Sequence, residues 1–191
     1  PFPFCFYDSL FTQFVVGSNG VVTFDLSNAN CNNAWVLETS LGSGIPQPIP
    51  FVGSGGCNDG TGPKYPKYSI MGPMHDINPN ITTSPNRKIE WRVVGSAPCR
   101  QLVVSFNDIP LFDNNPLLNT AQMIMYENTG LIDIHIKEKT LDNDASPWNE
   151  GLAILGIQKD ATKALAAPGK NSTAWSLNDS SFRFIPSGPV S

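Results

Sequence analysis

Three segments of this chain repeat polar and apolar side chains every two residues: Ile89-Glu90-Trp91-Arg92-Val93, Leu102-Val103-Val104-Ser105-Phe106 and Ile132-Asp133-Ile134-His135-Ile136. No comparable segment repeats every three or four. A period of two puts one face of a strand on a core and the other in solvent, so the chain is expected to be all-β, an antiparallel sandwich of about ten strands with long irregular loops. A register slip by one residue would expose the whole apolar set, which makes the pattern self-specifying.

The length of 191 residues suits one such domain. We expect that domain over 1–186, with 187–191 reading as the start of a linker or C-terminal tail. The 16 Gly and 17 Pro supply turns for many short strands, and 11 Phe, 4 Trp and 4 Tyr are too many aromatics for a disordered chain. A net charge of -4 without a basic stripe argues against nucleic acid as a partner. No apolar run reaches the roughly 20 residues of a helical membrane span, so membrane insertion is not expected.

Cys5, Cys31, Cys57 and Cys99 are widely spaced and form no C-x-x-C pair, which disfavours zinc. An even cysteine count in a weakly charged, Gly/Pro/Asn-rich β chain fits an oxidised, exported protein, with all four as disulfide candidates and three connectivities open. Cys31 with Cys57 is preferred, because the stretch between them has little core of its own; closing that loop contributes about 3 kcal/mol in the chain-entropy model. The start at Pro1-Phe2-Pro3-Phe4 reads as a processed or excised module.

Gly17-Ser18-Asn19-Gly20 marks a hairpin between Gln13–Val16 and Val21–Asp25. From Leu26 to Lys67 the periodicity fades, leaving Trp35–Leu37 and Ile49–Val52 as strand fragments. Lys88–Val94, Arg100–Asn107, Ala121–Glu127 and Leu131–Lys137 read as four neighbouring strands of one meander, with Asn128-Thr129-Gly130 as a tight turn and 108–120 as a longer loop. Leu152–Gln158 is almost uniformly apolar, as expected of a strand covered on both faces. Lys159–Ala166 could form a helical turn, stopped by Pro168-Gly169. Side-chain parity places Phe14, Val16, Val22, Phe24, Ile89, Trp91, Val93, Leu102, Val104, Phe106, Ile132, Ile134, Ile136, Ile154 and Phe184 in the core.

Catalytic signatures are weak. Gly42-Ser43-Gly44 and Gly53-Ser54-Gly55 lack the strand-to-helix setting of a serine nucleophile. His135 is expected on an exposed strand face beside Asp133, and His75 in a loop beside Asp76. A carbohydrate-active hydrolase would need two carboxylates facing a cleft. Ca²⁺ is the better inorganic partner, because hard oxygen ligands concentrate in turns: Asp76, Asn78, Asp108, Asp142 and Asp144 are the candidates, without the glycine and distal glutamate of an EF-hand. Asp76, Asp108 and Trp148 are the candidate ligand-binding residues, since an exposed tryptophan beside amides can stack on a sugar. N-x-[ST] triplets begin at Asn80, Asn171 and Asn178, all in expected loops.

In sequence the chain resembles a domain of large secreted surface proteins of the Bacteroidetes, gliding-associated adhesins exported by type IX secretion. The matching blocks are 14–24 (FVVGSNGVVTF), 69–79 (SIMGPMHDINP), 95–100 (GSAPCR), 104–110 (VSFNDIP), 125–136 (MYENTGLIDIHI) and 148–158 (WNEGLAILGIQ). A fainter similarity, to nidogen-like extracellular domains, rests on the SNGVVTF hairpin and the later paired strands. Both resemblances imply a secreted, extracellular sandwich at the cell surface without catalysis. The expected function is therefore a non-enzymatic module of a surface adhesin or filament, whose partners are surface glycans or other protein modules. The alternative is a structural spacer or self-associating subunit of a surface polymer; a hydrolase ranks third.

Overall fold

The computed structural model describes residues 2–31, 35–53, 62–142 and 148–188, with Trp148 and Glu150 represented by backbone alone. Among these residues there are twelve strands and two short 3-10 turns, and no α-helix. Strand pairing is antiparallel throughout.

β1 (Phe4–Phe6) and β2 (Ser9–Phe11) form a small hairpin. β3 (Val15–Gly17) and β4 (Val21–Thr23) meet through the Ser18-Asn19-Gly20 turn, and β4 pairs in turn with β5 (Ser69–Met74). β6 (Lys88–Val94), β7 (Gln101–Pro110), β8 (Leu118–Tyr126) and β9 (Ile132–Lys139) are the expected meander. β10 (Leu152–Asp160), β11 (Lys163–Ala174) and β12 (Leu177–Phe184) complete the chain. One sheet runs β11-β10-β5-β4-β3 and the other β12-β9-β8-β7-β6.

The inner faces meet in one core. Val22, Ile70, Ala153 and Leu155 come from the first sheet; Val104, Phe106, Met123, Met125, Ile134 and Ile136 come from the second. Burying each large apolar side chain contributes about 1.5–3 kcal/mol. The β1–β2 hairpin adds Phe4 and Phe6, whose rings pack on Phe24 at 5.7 and 5.3 Å. Gly72 permits the close approach of the two sheets, since a Cβ there would stand 2.7 Å from Met123 Cγ.

A second core lies on the outer face of the first sheet. Val21, Met71, Met74, Leu152 and Ile154 are covered there by Leu37, Ile49 and Tyr65. The long aperiodic stretch is thus a third layer, and it explains why β5 is buried along its whole length and β10 along most of it. Side chains from the sheet hold this layer, which among the described residues has only the isolated Glu38–Pro46 bridge of its own. Gln158 accepts from Phe51 N (2.9 Å) and donates to Pro66 O (3.1 Å). Asn171 accepts from Ile49 N and donates to Ile49 O, both at 2.8 Å. Gln158→Ala would strand Phe51 N at a cost of about 1–3 kcal/mol, while Pro66 O would keep only the Ser69 hydroxyl as donor. We expect limited proteolysis to cut within 35–53 well before the sandwich unfolds in that variant; an unchanged cleavage pattern would show that the clamp is dispensable.

Several expectations need correction. Trp35–Leu37 and Ile49–Val52 are not strands: Leu37 O accepts from Ser172 Oγ (2.6 Å) and Gln47 N (2.8 Å), Trp35 O accepts from Asn149 Nδ2, and Ile49 and Phe51 are held by the Asn171 and Gln158 side chains. Lys159–Ala166 is a β-hairpin: the Asp160 carboxylate accepts from Thr162 N (2.8 Å) and Oγ1 (2.6 Å), closing a two-residue turn. The 108–120 loop is shorter, since β7 continues to Pro110 past a bulge between Phe106 and Ile109. Trp91 is 54% exposed because β6 is an edge strand, and it packs edge-on against Phe14 at 5.3 Å. Phe14, Val16, Ile89 and Val93 are half-buried, and Ile154 belongs to the outer core. Of the three N-x-[ST] asparagines, Asn171 and Asn178 sit on β11 and β12, leaving Asn80 in a loop.

Candidate functional site

Antiparallel order brings four chain segments to one end of the sandwich: the exit of β5, the β7–β8 loop, the exit of β9 and the entry to β10. They enclose a cavity of about 30 Å³ lined by His75, Asp76, Asp113, Asn114, Lys139, Thr140, Asp142 and Asn149, with apolar walls from Leu111, Phe112 and Leu152. Asp76 and Asp142, two of the oxygen donors expected from the sequence, therefore converge with Asp113 and Asn114 of the β7–β8 loop.

Backbone bonds fix the segments. Asn19 O accepts from His75 N (3.2 Å) and Asn19 Oδ1 accepts from Ile77 N (3.1 Å). Phe112 N donates to Asp76 O (3.2 Å), and Thr140 N donates to Asn119 Oδ1 (2.9 Å). Asn114 Nδ2 reaches Asp142 Oδ1 at 3.2 Å, joining the β7–β8 loop to the segment after β9.

His75 follows β5 beside Asp76, and it is only 3% exposed. Its Nδ1 stands 3.2 Å from Pro73 O, an atom that only accepts, so Nδ1 carries the proton and Nε2 presents a lone pair. Burial, reinforced by the positive charge of Lys139, depresses its pKa to about 3. Lys139 is 2% exposed. Burial and then the charge of Lys170 lower its pKa to about 7, and its ammonium stands 5.1 Å from the centre of the Trp175 ring. Strict alternation would have turned Lys139 outward with His135 and Lys137. A register shift between Thr120 and Ala121, opposite Ile136 and Glu138, reverses the parity and turns it in.

The other candidates are distributed as follows. Asp76 and Asp142 line the same cavity. Asp108 sits at the β7 bulge with φ 50°, where its carboxylate accepts from Ser84 Oγ (3.1 Å) and Thr120 Oγ1 (3.2 Å). Asn78 Oδ1 accepts from Asn80 N at 3.0 Å, in a local turn that does not line the cavity. Asp144, Cys57 and the side chain of Trp148 lie outside the described residues. The five-residue calcium set is therefore not assembled, and among the described residues no three His, Cys, Asp or Glu side chains are placed to hold one metal ion. Cys5 and Cys99 are free thiols, which corrects their candidacy for disulfides. Asp133, expected to share an exposed face with His135, is 4% exposed because Arg183 binds it through two 2.7 Å contacts and Tyr126 donates to it at 2.9 Å. His135 Nδ1 lies 2.7 Å from Ser181 Oγ on the same sheet face.

A second hollow, of about 450 Å³, opens beside β11 and the segment after β12. Phe6, Tyr7, Ile157, Lys163, Leu165 and Ile185 are among its walls. Leu165 and Ile185 are 58% and 72% exposed. No helix among the described residues is long and apolar enough to cross a membrane.

Neither the curated proteins nor the solved structures contain a match to the chain. The sequence model of the NIDO-related family, whose domains are extracellular, matches residues 1–186, and on that coverage the chain belongs to the NIDO-related family.

Proposed function

We propose that the domain is a non-catalytic extracellular module of a bacterial surface adhesin or filament, and that its loop end contacts surface glycans or neighbouring protein modules. Family membership over 1–186 is the observation that carries this reading. It is supported by the placement of Asp76, Asp113, Asn114 and Asp142 around one cavity, on loops held by two packed sheets. The resemblance to gliding-associated, type IX-secreted proteins of the Bacteroidetes suggests the kind of parent chain.

An oxidised compartment belongs to the same reading. We propose that Cys31 and Cys57 form a cross-link, a choice supported by the free state of Cys5 and Cys99.

The test is retention of glycans on an array, and attachment of cells displaying the domain, with Asp76, Asp142 and Trp148 replaced together by alanine. We expect at least about a tenfold loss of affinity, equivalent to roughly 1.4 kcal/mol. Undiminished attachment by a folded triple variant would move recognition away from this end. The spacer reading draws on a different observation, the exposed Leu165 and Ile185 beside the 450 Å³ hollow. Hydrodynamic mass rising with concentration, and falling back with Leu165→Glu, is the result that reading requires.

A further inference from the structure

Lys139 and Asn149 line one water-sized cavity at the loop end, and both are more than nine-tenths buried. Among the described residues Lys139 donates no hydrogen bond and makes no ion pair; its cation faces only the Trp175 ring, which Lys170 also approaches, at 4.2 Å. A buried, unpaired ammonium is costly, and burial brings the neutral, nucleophilic amine within reach. Asn149 is held by one bond, Nδ2 to Trp35 O at 2.6 Å, while its Oδ1 has no donor among the described residues. The other buried amide near this end, Asn119, is committed on both sides, to Ile109 O and to Thr140. His75 adds an unpartnered Nε2 on the same cavity.

We propose that Lys139 and Asn149 become joined by an intramolecular amide bond. The Lys139 Nζ attacks Cγ of Asn149, a proton passes from Nζ to the departing Nδ2, and the Cγ–Nδ2 bond breaks. One N–C bond forms, one breaks, and one ammonia leaves; no oxidant or reductant is needed. A cavity of about 30 Å³ holds roughly one water, and Lys139 and Asn149 both lie on its wall. The lowered pKa of Lys139 leaves a nucleophilic fraction near neutral pH. Placement of the two buried groups on the wall of one cavity supplies the proximity that an amide, a poor electrophile, requires. The product is neutral, so the buried charge disappears. It also links the end of β9 in one sheet to the turn before β10 in the other, a covalent staple between the two layers.

The experiment is intact mass spectrometry of the reduced, denatured chain, followed by tryptic mapping. We expect a mass lower than that of the sequence by one ammonia, a branched peptide joining the Lys139 and Asn149 segments, and no tryptic cleavage after Lys139. Asn149→Ala should restore the full mass and cleavage; Asn149→Asp should form the same branch with loss of one water. Full mass with complete cleavage after Lys139 in the unsubstituted chain would overturn the proposal and leave a buried water as the partner of these groups. Loss of ammonia without a branched peptide, as from a succinimide, would overturn it equally. Both results are read on the unsubstituted protein, so they stand even where a variant fails to fold.

Discussion

Gly20→Ala will cost the domain about 4 kcal/mol or more, enough to leave little folded protein given the usual net stability of a single domain. A Cβ at this position would stand 2.0 Å from Pro73 O and 3.0 Å from Pro73 C, and those atoms belong to the backbone of the central strand β5. The strand cannot retreat, because its side chains fill the cores on both of its faces. Gly20 also has φ +78°, a conformation that adds strain for any L side chain. Gly42 supplies the control: its φ is +74°, but a Cβ there would meet nothing within 4 Å. Gly42→Ala should therefore lose only the conformational part, about 1–2 kcal/mol. Urea unfolding of the two variants measures the difference, and equal losses would mean that the contact with β5 yields without cost.

The second large effect is loss of stability in mild acid. His75 is neutral in the folded state, with a pKa near 3 set chiefly by burial, against an ordinary value of 6.5. Below 6.5 the unfolded chain takes up a proton that the folded chain refuses. The stability contributed by neutral His75 is thus complete above 6.5 and is lost as the pH falls toward 3, amounting to about 3 kcal/mol by roughly pH 4. Asp133 acts in a lower window. Its hydrogen-bonded pairing with Arg183 holds its carboxyl below the usual carboxylate range, so its contribution is lost only as the pH falls through that lowered value. Denaturant midpoints followed from pH 7 to about pH 4 should fall for the unsubstituted protein and stay nearly flat for His75→Gln. Parallel curves would show that His75 does not carry the effect.

The sandwich was legible because burial of alternate side chains specifies pairing. The meander β6–β9, the β3–β4 hairpin and the double burial of β10 all follow from local pattern. The candidate site was legible only in part. Asp76 and Asp142 were recognisable as oxygen donors in turns, but Lys139 looked like one more solvent-facing lysine in Lys137-Glu138-Lys139. Its inward turn depends on one shifted register against β8, and no residue type in β9 announces that shift. Asn149 was equally silent, since its importance comes from the Trp35 carbonyl 114 residues earlier in the chain.

What this sequence determined by itself is the fold class and the order of its central strands, because a two-residue period is a local property that each segment carries with it. The third layer over the first sheet, the reversal of parity at Lys139, the exposure of Trp91 and the meeting of His75, Lys139 and Asn149 in one cavity were decided by tertiary structure alone. Each depends on which surface comes to lie opposite another, and a residue's burial is set by that partner rather than by its neighbours in the chain.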